Sequence, residues 1–197
     1  MERLKLKMMK KLIILAAFLP FLIVSCGGAS NDSATDGANK DSLALSFDDM
    51  NEISLVNEGL NLSLMLPEVA SSTGNSIDPR IDHEEGDYLW YLTIGPRFEL
   101  IIEDYGKEKD KTLNEKKRLA ELEKIFDYEY IVDEPKLIMY QRTLHEGQGG
   151  KKSFHCYGEV MIDGYNYVLR SGEEGELRPI IEDMVKTIRS AKPIQGA

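Results

Sequence analysis

Residues 153–170 read SFHCYGEVMIDGYNYVLR. Two runs alternate between apolar and polar side chains, the period of a half-buried strand, and Asp163-Gly164 stands between them. Asp-Gly in that position marks a type I′ turn, whose two positive-φ residues give a twist that suits paired strands. A two-residue loop sets the register: Ile162 opposes Tyr165, Val160 opposes Tyr167 and Gly158 opposes Leu169. These residues, with Phe154 and Cys156, make one apolar face. The other face carries His155, Tyr157, Glu159, Met161, Asn166, Val168 and Arg170. Its mixed chemistry predicts that another element half-covers it.

Working upstream, residues 137–144 and 128–132 read as strands around Asp133-Glu134-Pro135, and 145–152 as a glycine-rich loop. Residues 111–126 read as a helix with Leu119, Leu122, Ile125 and Phe126 on its apolar stripe and Lys116, Lys117, Arg118 and Glu121 in solvent. Residues 88–94 and 97–103 flank Gly95-Pro96, a two-residue hairpin loop with Trp90, Leu92 and Ile94 on one face. Residues 68–87 read as a long polar loop. Strand signals run from 53 to 66, where Leu60, Leu62, Leu64 and Leu66 alternate with polar positions or Met65 before Pro67 ends the run. Downstream, 172–175 breaks the chain. Residues 177–191 then form an amphipathic helix with Leu177, Ile180, Ile181, Met184, Val185 and Ile188 on one stripe, Pro179 in its first turn and Pro193 beyond its end. This order predicts one α+β globular domain over 42–197, an antiparallel β-sheet flanked by two helices.

The chain is acidic, with 24 Lys and Arg against 34 Asp and Glu in 197 residues. Five of the basic residues and only Glu2 among the acids precede Cys26, so the chain from Cys26 onward has 19 basic and 33 acidic residues, a net charge of −14. Such a surface repels nucleic acid and anionic headgroups and attracts basic partners. Of the two cysteines, Cys26 lies at the end of an export-like segment and Cys156 among core residues, so no disulfide framework is expected.

Lys10 and Lys11 precede an uncharged stretch, 12–24, that is too short to cross a bilayer but has the shape of a secretory signal. It ends Leu22-Ile23-Val24-Ser25-Cys26-Gly27, which resembles the bacterial lipobox. The resemblance implies a signal peptide over 1–25, cleavage before Cys26 and a covalent lipid on its thiol. Several acyl chains then give stable anchoring. Residues 27–41 (GGASNDSATDGANKD) follow as a flexible tether, so the lipidated cysteine and its leash occupy 26–41. A tether of this kind has a root-mean-square reach of roughly 20 Å. With no acidic run directly after Cys26, the expected placement is the periplasmic face of a Gram-negative envelope.

The order of elements also resembles the PsbP-like fold. The resemblance rests on the opening strand into proline at 60–67 and the closing Met184-Val185-Lys186-Thr187-Ile188-Arg189-Ser190. It implies a sandwich of sheet and helices and no particular chemistry, because that fold serves several unrelated roles.

No nucleophile motif, P-loop or HExxH spacing is present; Gly147-Gln148-Gly149-Gly150 lacks the lysine and serine of a P-loop. His155 and Cys156 are strand neighbours and point to opposite faces, so they do not form a pair. Cys156 is expected to be a buried structural thiol, and His155 an ordinary surface histidine or part of a groove with Tyr157 and Arg170. Asp82, Glu84, Glu85 and Asp87 gather oxygen ligands of the kind calcium takes, in a spacing that is not an EF-hand. A solvated loop is the expected reading and calcium the alternative. Tyr128, Tyr130, Tyr140 and Tyr157, with His155 and Arg170, form a candidate recognition surface. The expected function is a non-catalytic, membrane-anchored envelope module with a protein partner and no cofactor beyond its lipid. The alternatives are an immunity or inhibitor lipoprotein against a basic toxin or hydrolase, and a small-ligand binder or hydrolase.

Overall fold

The computed structural model describes residues 46–68, 78–145 and 149–194. The signal segment, Cys26 and the tether lie outside the described residues, as do parts of two expected loops, 69–77 and 146–148. Among the described residues the order is β1 (Met50–Ser54), a 3-10 turn (Val56–Glu58), β2 (Leu62–Pro67), β3 (Arg80–Asp82), β4 (Leu89–Ile94), β5 (Phe98–Asp104), α1 (Lys111–Leu122), β6 (Phe126–Glu134), β7 (Leu137–Leu144), β8 (Ser153–Ile162), β9 (Tyr165–Ser171), α2 (Arg178–Ser190) and β10 (Lys192–Pro193).

The strands form two antiparallel sheets, one of seven strands in the order β3-β4-β5-β9-β8-β7-β6 and one of three in the order β1-β2-β10. The class is α+β, antiparallel sheet flanked by helices. The β8–β9 hairpin has the register read from the sequence, Ile162 with Tyr165 through Gly158 with Leu169. Asp163 and Gly164 take φ of 51° and 84°, as a type I′ turn requires.

The inner face of the large sheet is apolar and fully covered. Trp90, Leu92, Leu100, Ile102, Met139 and Leu169 meet Ile180, Ile181, Met184, Val185 and Ile188 of α2, with Leu62, Leu64 and Leu66 of β2 completing the core. Each large aliphatic side chain so buried contributes about 1.5–3 kcal/mol. Gly158 lets α2 approach, since a Cβ there would lie 2.4 Å from Cγ2 of Ile188. On the outer face α1 packs through Leu119 onto Ile138 and Tyr140, with Tyr128 and Tyr157 alongside.

The structure departs from the sequence reading at several points. Residues 53–66 are not one strand but the end of β1, a turn and β2, paired as a hairpin. The 95–97 turn has three residues, because Ile94 pairs with Phe98, Leu92 with Leu100 and Trp90 with Ile102. A two-residue loop would have set Leu92 opposite Glu99 and mixed the buried face with the exposed one. The expected loop 68–87 contains the edge strand β3. Helix α1 ends at Leu122; Ile125 is 39% exposed and Phe126 opens β6, so Leu119 alone of the expected stripe is buried. Leu177 precedes α2 and is also exposed.

Candidate functional site

The outer face is where the fold leaves chemistry open. Helix α1 crosses only part of it, and between the helix and the strand ends lies a cleft of about 330 Å³. Strands β7, β8 and β9 supply Tyr140, Arg142, His155, Tyr157 and Arg170; β5 and the segment after it supply Glu103 and Tyr105; α1 supplies Glu115 and Arg118. Period-two alternation explains the gathering, because Tyr140 and Arg142, or His155 and Tyr157, share a face while their neighbours enter the core.

Two acid–base pairs frame the cleft. Arg170 donates from Nε (2.7 Å) and Nη2 (2.5 Å) to Oε1 of Glu103, whose Oε2 accepts the Tyr105 hydroxyl at 2.6 Å. Burial, then this hydrogen bond, pushes Tyr105 up to about 12. Arg118 grips Glu115 with Nε at 2.7 Å and Nη2 at 2.6 Å. This bond raises the guanidinium pKa further, so the pair stays ionised. Tyr140 and Tyr157 both titrate well above an ordinary tyrosine because burial disfavours the phenolate, so their hydroxyls remain donors at any physiological pH.

His155 is 3% exposed and stacks on Tyr140, with ring centroids 5.1 Å apart. It is not a surface histidine, because segment 172–176 folds over its ring and is bridged to β8 at Phe154–Glu176. Its Nε2 lies 2.9 Å from the Ser153 hydroxyl. Burial, reinforced by Arg142 and Arg118 and opposed by a backbone hydrogen bond at Gly172, lowers its pKa to about 3. A base so weak does little to activate Ser153 at neutral pH.

The depressed histidine makes stability depend on pH. Between its folded value near 3 and its unfolded value of 6.5, the unfolded chain binds the extra proton, so stability is complete above 6.5 and falls as pH drops. From about pH 6.5 to 5, where most carboxylates stay ionised, unfolding free energy is expected to fall by about 1 kcal/mol per pH unit. Urea titrations of a His155→Gln variant should lose that slope. A slope unchanged in the variant would show that groups other than His155 set it.

Of the six residues expected to form a recognition surface, Tyr140, His155, Tyr157 and Arg170 line the cleft. Tyr128 lies against Tyr140 edge-on, its hydroxyl buried without a partner among the described residues. Tyr130 packs beside Tyr140, 6.1 Å between centroids, and is 38% exposed. The sequence reading missed Glu103, Tyr105, Glu115, Arg118 and Arg142. For Arg142 a signal exists, its period-two relation to Tyr140; Arg118 is exposed, as expected, and reaches the cleft rim from α1.

Cys156 points into the core at 2% exposure, and burial raises its pKa to about 12, the signature of an inert thiol. The acidic loop does not converge. Asp82 lies 3.6 Å from Arg80 and Asp87 accepts the Tyr88 amide at 2.7 Å. Among the described residues no three His, Cys, Asp or Glu side chains gather as metal ligands. A scan of protein-family models finds no match to the chain, and a search of curated proteins finds no significant relative.

Proposed function

We propose that this chain is a lipid-anchored envelope protein whose domain is a non-catalytic recognition module, working through the cleft beside α1. The observation that supports it is the cleft itself, in which rigid tyrosines and ion-paired arginines line a recess on a fully packed sheet. Tyrosine gives large contact area at low entropic cost, and arginine gives directional donors. The weak basicity of His155 and the buried state of Cys156 favour binding over catalysis. The export-like segment before Cys26 supports placement on a lipid anchor facing the periplasm, and the order of sheets and helices supports a PsbP-like sandwich. Neutralisation of a basic toxin through this cleft is disfavoured, because Glu103 and Glu115 in its walls are already held by arginines.

Photo-crosslinking in intact cells tests this reading. A benzophenone amino acid at Glu173, on the cleft rim, is expected to capture one discrete envelope component, and the same probe at the exposed Lys117 is not. Labelled palmitate should enter the chain and be lost in Cys26→Ser. Identical capture from both positions would remove the cleft from the reading, and equal labelling of the cysteine variant would remove the anchor.

A further inference from the structure

Two of the three cleft arginines are matched by carboxylates, Arg170 by Glu103 and Arg118 by Glu115. Arg142 is different. Its Nη2 donates to the backbone carbonyls of Glu173 (3.0 Å) and Glu174 (3.4 Å), and its guanidinium lies 5.1 Å from the centroid of Phe126. No carboxylate among the described residues pairs with it, and its Nε and Nη1 have no described acceptor. Glu173, the other acid in the lining, is exposed and gives Arg142 only its carbonyl.

A second observation points the same way. Tyr140 and Tyr157 line the cleft, and neither hydroxyl has a hydrogen-bond partner among the described residues. A hydroxyl that opens on a cleft without a protein acceptor is free to donate to water or to a ligand. Here a guanidinium without a carboxylate partner among the described residues and two open hydroxyls line one recess, in which the other two arginines are each held by a glutamate.

We infer that the cleft binds a single carboxylate group, with Arg142 as its counter-ion and the Tyr140 and Tyr157 hydroxyls as further donors. This rests on the cleft being the recognition surface and names the chemistry it recognises. One unmatched guanidinium balances one negative charge, and a carboxylate's two oxygens accept from several donors at once. A phosphate dianion would need a second free cation. The group can come from a free small acid or from a peptide chain end.

Equilibrium dialysis of the full chain in nonionic detergent, with radiolabelled benzoate as probe, separates these cases. Benzoate is expected to bind about tenfold or more tightly than neutral benzamide, the discrimination of one charge-assisted hydrogen-bond set. Arg142→Gln should lose about tenfold in benzoate affinity with its thermal midpoint held, and Arg142→Lys, which keeps the charge but not the planar fork, should recover part of it. Acetyl-trialanine acid competing as well as benzoate, while its amide does not, identifies a chain end; competition by benzoate alone identifies a free acid. Equal binding of benzoate and benzamide, indifference to Arg142→Gln, or clearly tighter binding of phenyl phosphate would each overturn the carboxylate assignment. If benzoate fails while the Glu173 crosslink persists, the assignment falls and the recognition reading stands; if the crosslink also fails, both fall.

Discussion

Replacing Glu159 by alanine is expected to destabilise the domain by about 3 kcal/mol or more, although the residue lies outside the cleft. Helix α1 begins at Asp110, which has φ of 61° and makes no side-chain cap of its own. The free N–H groups of a helix start need acceptors. They come from across the fold: Oε1 of Glu159 accepts the Asp110 amide at 3.1 Å and Oε2 the Thr112 amide at 3.2 Å. The same carboxylate takes the Thr112 hydroxyl at 3.3 Å and Nδ2 of Asn166 at 2.9 Å. Both Thr112 and Asn166 are fully buried, so their donors would have nowhere to turn. The negative charge also suits the positive end of the helix dipole. Truncation strands the Thr112 amide and hydroxyl, leaves Asn166 Nδ2 only its bond to the Glu108 carbonyl, and loosens α1, which carries Glu115 and Arg118 into the cleft. The urea midpoint should drop with an unchanged m-value, and the melting temperature by roughly 6–12 °C. Glu159→Gln keeps one acceptor oxygen but turns a donor toward donors, so it should lose about half as much. Full stability of the alanine variant would mean that α1 finds its cap elsewhere.

Gly175→Ala is the second large effect, again about 3 kcal/mol. Gly175 has φ of 73°, where a side chain is strained. The heavier cost is steric. A Cβ would lie 2.5 Å from Cε1 and Nε2 of His155 and 2.6 Å from the carbonyl oxygen of Phe154. The segment cannot lift away cheaply, because Phe154 and Glu176 exchange two backbone hydrogen bonds of 2.9 Å. The ring of His155 must therefore shift, disturbing its stack on Tyr140 at the cleft wall. Thermal unfolding would read the stability loss, and proton resonances of Tyr140 would read the broken stack. Gly175→Asn separates the two causes. Asparagine tolerates positive φ better than alanine but carries the same Cβ, so it should be nearly as damaging. A near-native asparagine variant would show that backbone strain, and not the contact with His155, is what the glycine avoids.

Both effects act on side chains of the hairpin, Glu159 in one case and His155 in the other, and they mark how far local pattern carries. Alternation along 153–170 said which side chains share a face, and Asp163-Gly164 said how the strands pair, because a tight turn leaves one register. The stripe on α2 identified its buried side, and Leu60, Leu62, Leu64 and Leu66 identified another piece of the core. The errors came where a segment's partner was remote. The length of the 95–97 turn follows from matching Leu92 to Leu100 across the strands. Similarly, α1 is short and sparsely buried because it rests on a face that is already half polar.

Sequence by itself therefore determined the class of fold, the central hairpin with its register, the apolar side of α2, the core position of Cys156 and four of the residues that line the cleft. Tertiary structure alone decided that Glu159 caps a helix 49 residues upstream, that Glu103 and Glu115 neutralise two arginines while Arg142 is left unmatched, and that His155 is roofed by Gly175. The reason is that periodicity encodes the direction in which a side chain points from its own strand or helix. What it meets there depends on another stretch of chain, brought up by packing of the whole domain.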